Sequence, residues 1–196
     1  MSILISMAVF SVSMSVSPGP VNFLALASGL NHGFMPSLKF VTGATLGFIS
    51  LLLLIGLGIG ATNESFPVIV DSLKYIGCAY IFYIGFKVYS ETAALDDTTS
   101  QHNKPTFLQG WLMQWLNPKA WVACLAGCSA FSVYTSHIRL AQFLSIYFVI
   151  CFVGIASWAL LGKRIKIWIS TPKHVRLFNK VMGISLCVLG VILLVQ

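Results

Sequence analysis

Charge is what this chain has least of. Asp, Glu, Lys and Arg make up 9% of its 196 residues, against about 25% in an ordinary soluble domain. Its 5 acidic residues (Glu64, Asp71, Glu91, Asp96 and Asp97) all fall in loops or near segment ends. That leaves no carboxylate at a bilayer centre, where one costs about 3 kcal/mol and usually marks a proton or cation site. Catalytic signatures are missing too. The chain has no His-Glu-x-x-His, no Gly-x-Ser-x-Gly and no glycine-rich phosphate loop, and His32, His102, His137 and His174 sit in predicted loops. An enzyme is therefore not expected. No Lys or Arg precedes Lys39, so the positive n-region of a cleaved signal peptide is not expected either. The five cysteines (Cys78, Cys124, Cys128, Cys151 and Cys187) lie inside apolar segments and imply no disulfide. Cys124 and Cys128 share a helix face, but soft-metal binding would need His or acidic partners that the neighbouring sequence lacks. The expectation is small packing residues, with no metal and no cofactor.

What is abundant is apolar sequence. Hydrophobic residues reach 57% and the mean hydropathy is +0.88, so lipid must be the solvent. Long uninterrupted runs such as "FISLLLLIGLGIG" exclude the short alternating strands of a β-barrel. A spanning helix takes about 20 apolar residues. Six candidates fit, at residues 2–30, 38–60, 68–89, 111–133, 140–161 and 178–195. The fold class is an all-α integral membrane protein with six transmembrane helices in one domain, residues 1–196. A polar linker, 91–104, divides it into halves of approximately 1–90 and 105–196.

The net charge of +7 does not point to nucleic acid, because the basic residues sit in short loops between apolar runs rather than on one soluble face. They report topology instead. Lys39, Lys87, Lys104, Lys163, Arg164, Lys166, Lys173, Arg176 and Lys180 lie on one side, and Lys74 and Arg139 on the other. The positive-inside rule makes the first side cytoplasmic and both termini periplasmic. A lipid-binding role for "GKRIKIWISTPKHVR" is the lesser alternative. Three spans per half means that the halves cross the membrane in opposite senses. Two correspondences support an inverted repeat. Lys74 precedes Gly77 by three as Lys180 precedes Gly183, and the first span of each half is broken at proline, at Pro18 and at Pro118.

Those breaks are the candidate site. A residue before proline avoids helical dihedrals, and proline suits a helix's first turn. "SPGP" therefore splits the first span into two half-helices, the second starting near Pro20. Broken backbone at membrane depth is tolerated only inside protein or along a wet cavity. A half-helix N-terminus carries about half a positive charge and suits a carboxylate, and Asn22 adds an amide one turn in. In "WLMQWLNPKAWVACL", Asn117 is expected to cap a helix starting at Pro118, and Lys119 adds a full charge. Ser17, Pro18, Gly19, Pro20, Asn22, Asn117, Pro118 and Lys119 are the expected substrate-binding residues. The competing readings are a packing kink at "SPGP" and a Lys119 that snorkels to the interface. Gly43 and Gly47, with Gly56, Gly58 and Gly60, read as close-packing positions. Tyr75, Tyr80 and Tyr83 read as packing or interfacial aromatics before ligands.

At these residues the chain resembles the LysE/RhtB family of amino-acid exporters. The similarity runs through "SPGPVNFLALASGLNHGFMPSLKFVTGATLGF", "LKYIGCAYIFYIGFKVY" and "FLQGWLMQWLNPKAW", in the family's order and over nearly the whole chain. "NFLALASGLNHGF" is closest to members described as cysteine and O-acetylserine exporters. One departure is Val21, where relatives often carry a polar Asn or Asp. The resemblance implies proton-motive-force-driven efflux of amino acids or their derivatives across a bacterial inner membrane. The expected partners are a small amino acid and the lipid bilayer, with a homo-oligomer allowed and no nucleic acid. A channel or ion carrier is the second reading.

Overall fold

The computed structural model describes residues 2–58, 66–90, 105–169 and 171–195, without the side chains of residues 66–74. The linker 91–104, Glu64 and Gly60 lie outside the described residues, as do the side chains of Asp71 and Lys74. The described chain is helical throughout: α1 (Ile3–Val16), α2 (Pro20–His32), α3 (Phe34–Gly56), α4 (Phe66–Tyr89), α5 (Phe107–Trp115), α6 (Pro118–Ala130), α7 (His137–Trp168) and α8 (Pro172–Val195). A 3₁₀ turn, Val133–Thr135, joins α6 to α7.

Local chemistry sets most of the boundaries. Ser17, held before Pro18, is extended at φ −60°, ψ 140° and ends α1. Gly19 is extended at φ −172°, ψ 175°, and Pro20 opens α2 as its first residue. The two axes meet at 59°. Several ends differ from expectation. α3 begins at Phe34 rather than residue 38 because Gly33, at φ +86°, reverses the chain in a single residue, and Pro36 fits a first helical turn. It stops at Gly56 because Gly58 turns left-handed at φ +77°. α5 starts at Phe107 on a full capping box, Thr106 Oγ1 accepting from Gln109 N at 3.1 Å and Gln109 Oε1 from Thr106 N at 3.0 Å. α7 runs on to Trp168, so "GKRIKIW" continues the helix instead of leaving it.

α3, α7 and α8 are each long and apolar enough to cross a membrane, and the bent pair α1–α2 makes a fourth candidate span. The surface fits a lipid solvent. Large apolar side chains such as Val9, Phe86, Val149 and Val188 face outward, while Ser11, Ser15, Asn22, Thr45, Gln114 and Asn179 are buried.

Glycines set the close helix crossings. A Cβ on Gly43 would overlap the Phe107 carbonyl, and one on Gly47 would press on Trp111. α5 therefore runs parallel to α3. In the same way Gly154 meets Ser15, and Gly162 meets the Leu26 carbonyl, so the α1–α2 pair runs parallel to α7. α3 and α7 cross antiparallel, with Phe48 stacked on Tyr147 at 4.3 Å between ring centroids and Gly56 against Leu140. α4 and α8 are likewise antiparallel, with Gly85 against Gly183 and Gly190 against Phe82. Reciprocal amide bonds of 3.0 Å join Asn31 of α2 to Asn179 of α8.

Candidate functional site

The break between α1 and α2 leaves the last carbonyls of α1 without helical donors. Each finds another partner. Val16 O accepts from Trp158 Nε1 at 3.1 Å. Asn22 Nδ2 donates to Ser15 O at 2.8 Å and to Ser17 O at 2.9 Å. The remaining donor comes from the other half of the chain. Lys119 Nζ donates to Ser17 O (2.8 Å), Ser17 Oγ (2.7 Å) and Pro18 O (3.2 Å). An ammonium has three protons, so these acceptors account for all of them.

The second break follows its sequence closely. Asn117 caps α6, its Oδ1 accepting from Lys119 N at 3.2 Å, and Pro118 is the first helical residue. That cap starts Lys119 beside the first break. Its side chain crosses Gly19, where a Cβ would lie 3.2 Å from Lys119 Cδ and 3.3 Å from Nζ. Any larger residue there would crowd the lysine. Lys119 is half-buried and turned inward, not extended along the surface.

Between the breaks lies a cavity of about 40 Å³, room for one or two waters but not for an amino acid. Gly19, Asn22, Asn117 and Lys119 line it; Ser17, Pro18, Pro20 and Pro118 are not among its lining residues. Pro18 is exposed and Pro20 buried, and the prolines act by setting the breaks. Asn22 faces the cavity, but its amide is spent on α1. At the start of α2, Gly19 offers no side-chain cap to the first N–H groups.

Sequence reasoning missed the rest of the wall, formed by Ser15, Gln114, Phe48, Tyr147 and Cys151. Gln114 had a signal, as the lone amide in "WLMQWL". It is 5% exposed, and its carboxamide takes no part in the hydrogen bonds that hold the breaks. Ser15, 7% exposed, sets its hydroxyl beside the Tyr147 phenol and the Cys151 thiol. Tyr147 supplies the cavity's phenol; Tyr75 and Tyr83 on α4 face outward.

The electrostatics are simple. Among the described residues, Lys119 is the one charged residue in the lining. The C-terminal end of α1 is a region of partial negative charge, and the starts of α2 and α6 are regions of partial positive charge. The cavity therefore offers both polarities within one small volume, as a zwitterion requires. Cys124 and Cys128 are fully buried on α6. Among the described residues no group of three or more His, Cys, Asp or Glu could hold a metal ion.

Residues 12–196 match the sequence pattern of the LysE type translocator family. A homoserine/homoserine lactone efflux protein of Salmonella typhimurium is 26% identical over 189 residues, covering 93% of this chain and 91% of the relative. A cysteine/O-acetylserine efflux protein of Salmonella choleraesuis is 27% identical over 157 residues, 78% of each chain. An uncharacterized membrane protein of Vibrio cholerae is 27% identical over 183 residues, covering 88% of this chain and 87% of the relative. No solved structure matches.

Proposed function

The chain belongs to the LysE type translocator family, and from that premise we propose that it exports small neutral amino acids or their derivatives across a bacterial inner membrane, driven by the proton-motive force. It is a membrane translocator and not an enzyme. The names of its relatives, homoserine and cysteine/O-acetylserine efflux proteins, support the substrate class. Both kinds of relative are about equally similar, so neither is favoured over the other.

The observation that carries the reading is the pairing of the two helix breaks around a cavity whose only charged lining residue, among the described residues, is Lys119. Substrate carboxylate is met on the side of the α2 and α6 N-termini, with Asn117 and Lys119 beside it. Ser17, Pro18, Gly19, Pro20 and Pro118 hold the broken backbone that makes the site, and Asn22 braces it. The five acids of the chain all fall in loops or near segment ends of the sequence, so none is expected at the site to pair with a second cation, and an unpaired buried charge is expensive. Dibasic amino acids are therefore carried poorly.

The same reading takes α1–α2, α3, α4, α5–α6, α7 and α8 as six spans in two inverted repeats, with both termini periplasmic. Reciprocal packing supports it: the first span of each half lies parallel to the middle span of the other, and the two middle spans cross antiparallel. The test is efflux from cells that overproduce the chain and are loaded with one labelled amino acid at a time. Homoserine, cysteine, O-acetylserine and serine should leave faster than from control cells, and lysine and arginine should not. Equal efflux of lysine and homoserine contradicts the charge argument.

A further inference from the structure

We propose that the acceptor cradle at the end of α1, now filled by Lys119, is the subsite for the substrate's ammonium group, and that Lys119 vacates it on binding and turns to the substrate's carboxylate. This rests on the reading of the chain as an amino-acid exporter and assigns the second half of the zwitterion.

Three observations converge on the cradle. Ser17 O, Ser17 Oγ and Pro18 O already bind a primary ammonium, at 2.7–3.2 Å. These oxygens lie at the negative end of α1, and the Lys119 they hold also lines the cavity, so an incoming ammonium reaches them by taking the place of the lysine. Beside them the buried Ser15 Oγ lines the cavity next to Tyr147 and Cys151. It is a hydrogen-bonding position that Lys119 does not use.

The present cavity does not admit an amino acid beside the lysine, so something must move. Lys119 is the group suited to it. Its stem is flexible, it passes over a glycine, and it is tethered to α6 while its ammonium rests on α1. The exchange keeps charge balanced at every point. One ammonium replaces another on the α1 carbonyls, and the displaced one meets a carboxylate, so no charge is left unpaired in a low dielectric. A ligand with only an amine cannot complete the exchange, because it would evict Lys119 without offering it an anion.

That asymmetry supplies the test. The full chain is purified in detergent, and binding is followed by thermal stabilisation with three probes: homoserine, 3-aminopropanol (the amine without the carboxylate) and 4-hydroxybutyrate (the carboxylate without the amine). Wild-type protein should bind homoserine and respond weakly to 3-aminopropanol. In Lys119→Met the cradle is vacant, and affinity for 3-aminopropanol should rise about tenfold or more, the scale of a hydrogen-bonded charge, while homoserine binding falls. Unchanged or weaker amine binding in Lys119→Met overturns the proposal. Should that variant not fold, Ser17→Ala decides. Lys119 in the free protein and the substrate ammonium in the complex lose the same acceptor, so homoserine binding should stay within about twofold, whereas 4-hydroxybutyrate, which draws Lys119 off the cradle and puts nothing in its place, should bind about threefold or more tighter; unchanged or weaker 4-hydroxybutyrate binding overturns the proposal. Wild-type protein that neither binds nor transports any amino acid refutes the exporter reading instead, and amine binding to Lys119→Met still reports on the cradle.

Discussion

Asn22→Leu tests how the first break is held together. The asparagine is 5% exposed and its amide serves two carbonyls, Ser15 O at 2.8 Å and Ser17 O at 2.9 Å. Leucine is close in size and donates nothing. The two carbonyls do not suffer equally. Ser17 O keeps the Lys119 ammonium at 2.8 Å, whereas Ser15 O loses its donor. One orphaned buried carbonyl costs about 1–3 kcal/mol, and the lower end applies in a membrane protein, whose unfolded form also finds partners. Lys119→Met alone should cost less, because Ser17 O keeps Asn22, Ser17 Oγ keeps Met14 O, and only the Pro18 carbonyl, whose bond to the lysine is the longest at 3.2 Å, loses its donor. In the double variant both carbonyls are orphaned together, so the combined loss should exceed the sum of the singles by about 1 kcal/mol. The assay is reversible unfolding of detergent-solubilised protein, with all four members of the cycle measured under one condition. Additivity within about 0.5 kcal/mol would mean that the two side chains do not share the carbonyl, and the account of the break would be wrong.

Gly110→Ala should destabilise the chain by about 1–3 kcal/mol through overpacking, since its Cβ would overlap the Phe40 carbonyl and press α5 off α3. The exposed Ser145→Ala should stay within about 0.5 kcal/mol of wild type by thermal unfolding. Parity between the two would discredit the α3–α5 seam. A reporter fused to the C-terminus and active only in the cytoplasm should be silent in cells, and the same reporter inserted after Trp168 should be active. A bright C-terminal fusion reverses the proposed orientation.

The breaks were legible in the sequence because their causes are local. Proline bars helical dihedrals in the residue before it and opens a helix well; Asn117 caps the next turn through its own side chain. Nothing tertiary was needed to place α2 at Pro20 or α6 at Pro118. The direction of Lys119 was not legible. Its acceptors at Ser17 and Pro18 are 102 and 101 residues away along the chain, and spacing says nothing about whether a lysine turns to a substrate, to the interface or to another helix's carbonyls. Ser15, Phe48, Tyr147 and Cys151 were hidden for a related reason. Each sits in an ordinary apolar helix, and only the packing of α1, α3 and α7 brings them to one cavity. Gln114 could have been found, since an amide within an apolar run beside a break needs a reason to be there. The helix ends at Gly33 and Gly58 were misplaced because hydropathy runs straight through them, while positive φ does not continue a helix.

The central claim is that the paired breaks form an amino-acid site. Counterflow in proteoliposomes tests it most directly: vesicles loaded with unlabelled homoserine, with the chain reconstituted, and labelled homoserine supplied outside. The account predicts transient accumulation of label that depends on internal homoserine, is competed by cysteine and O-acetylserine, and is not competed by lysine. Label that never accumulates, together with a salt-dependent current indifferent to amino acids, would make the chain a channel or ion carrier and contradict the account.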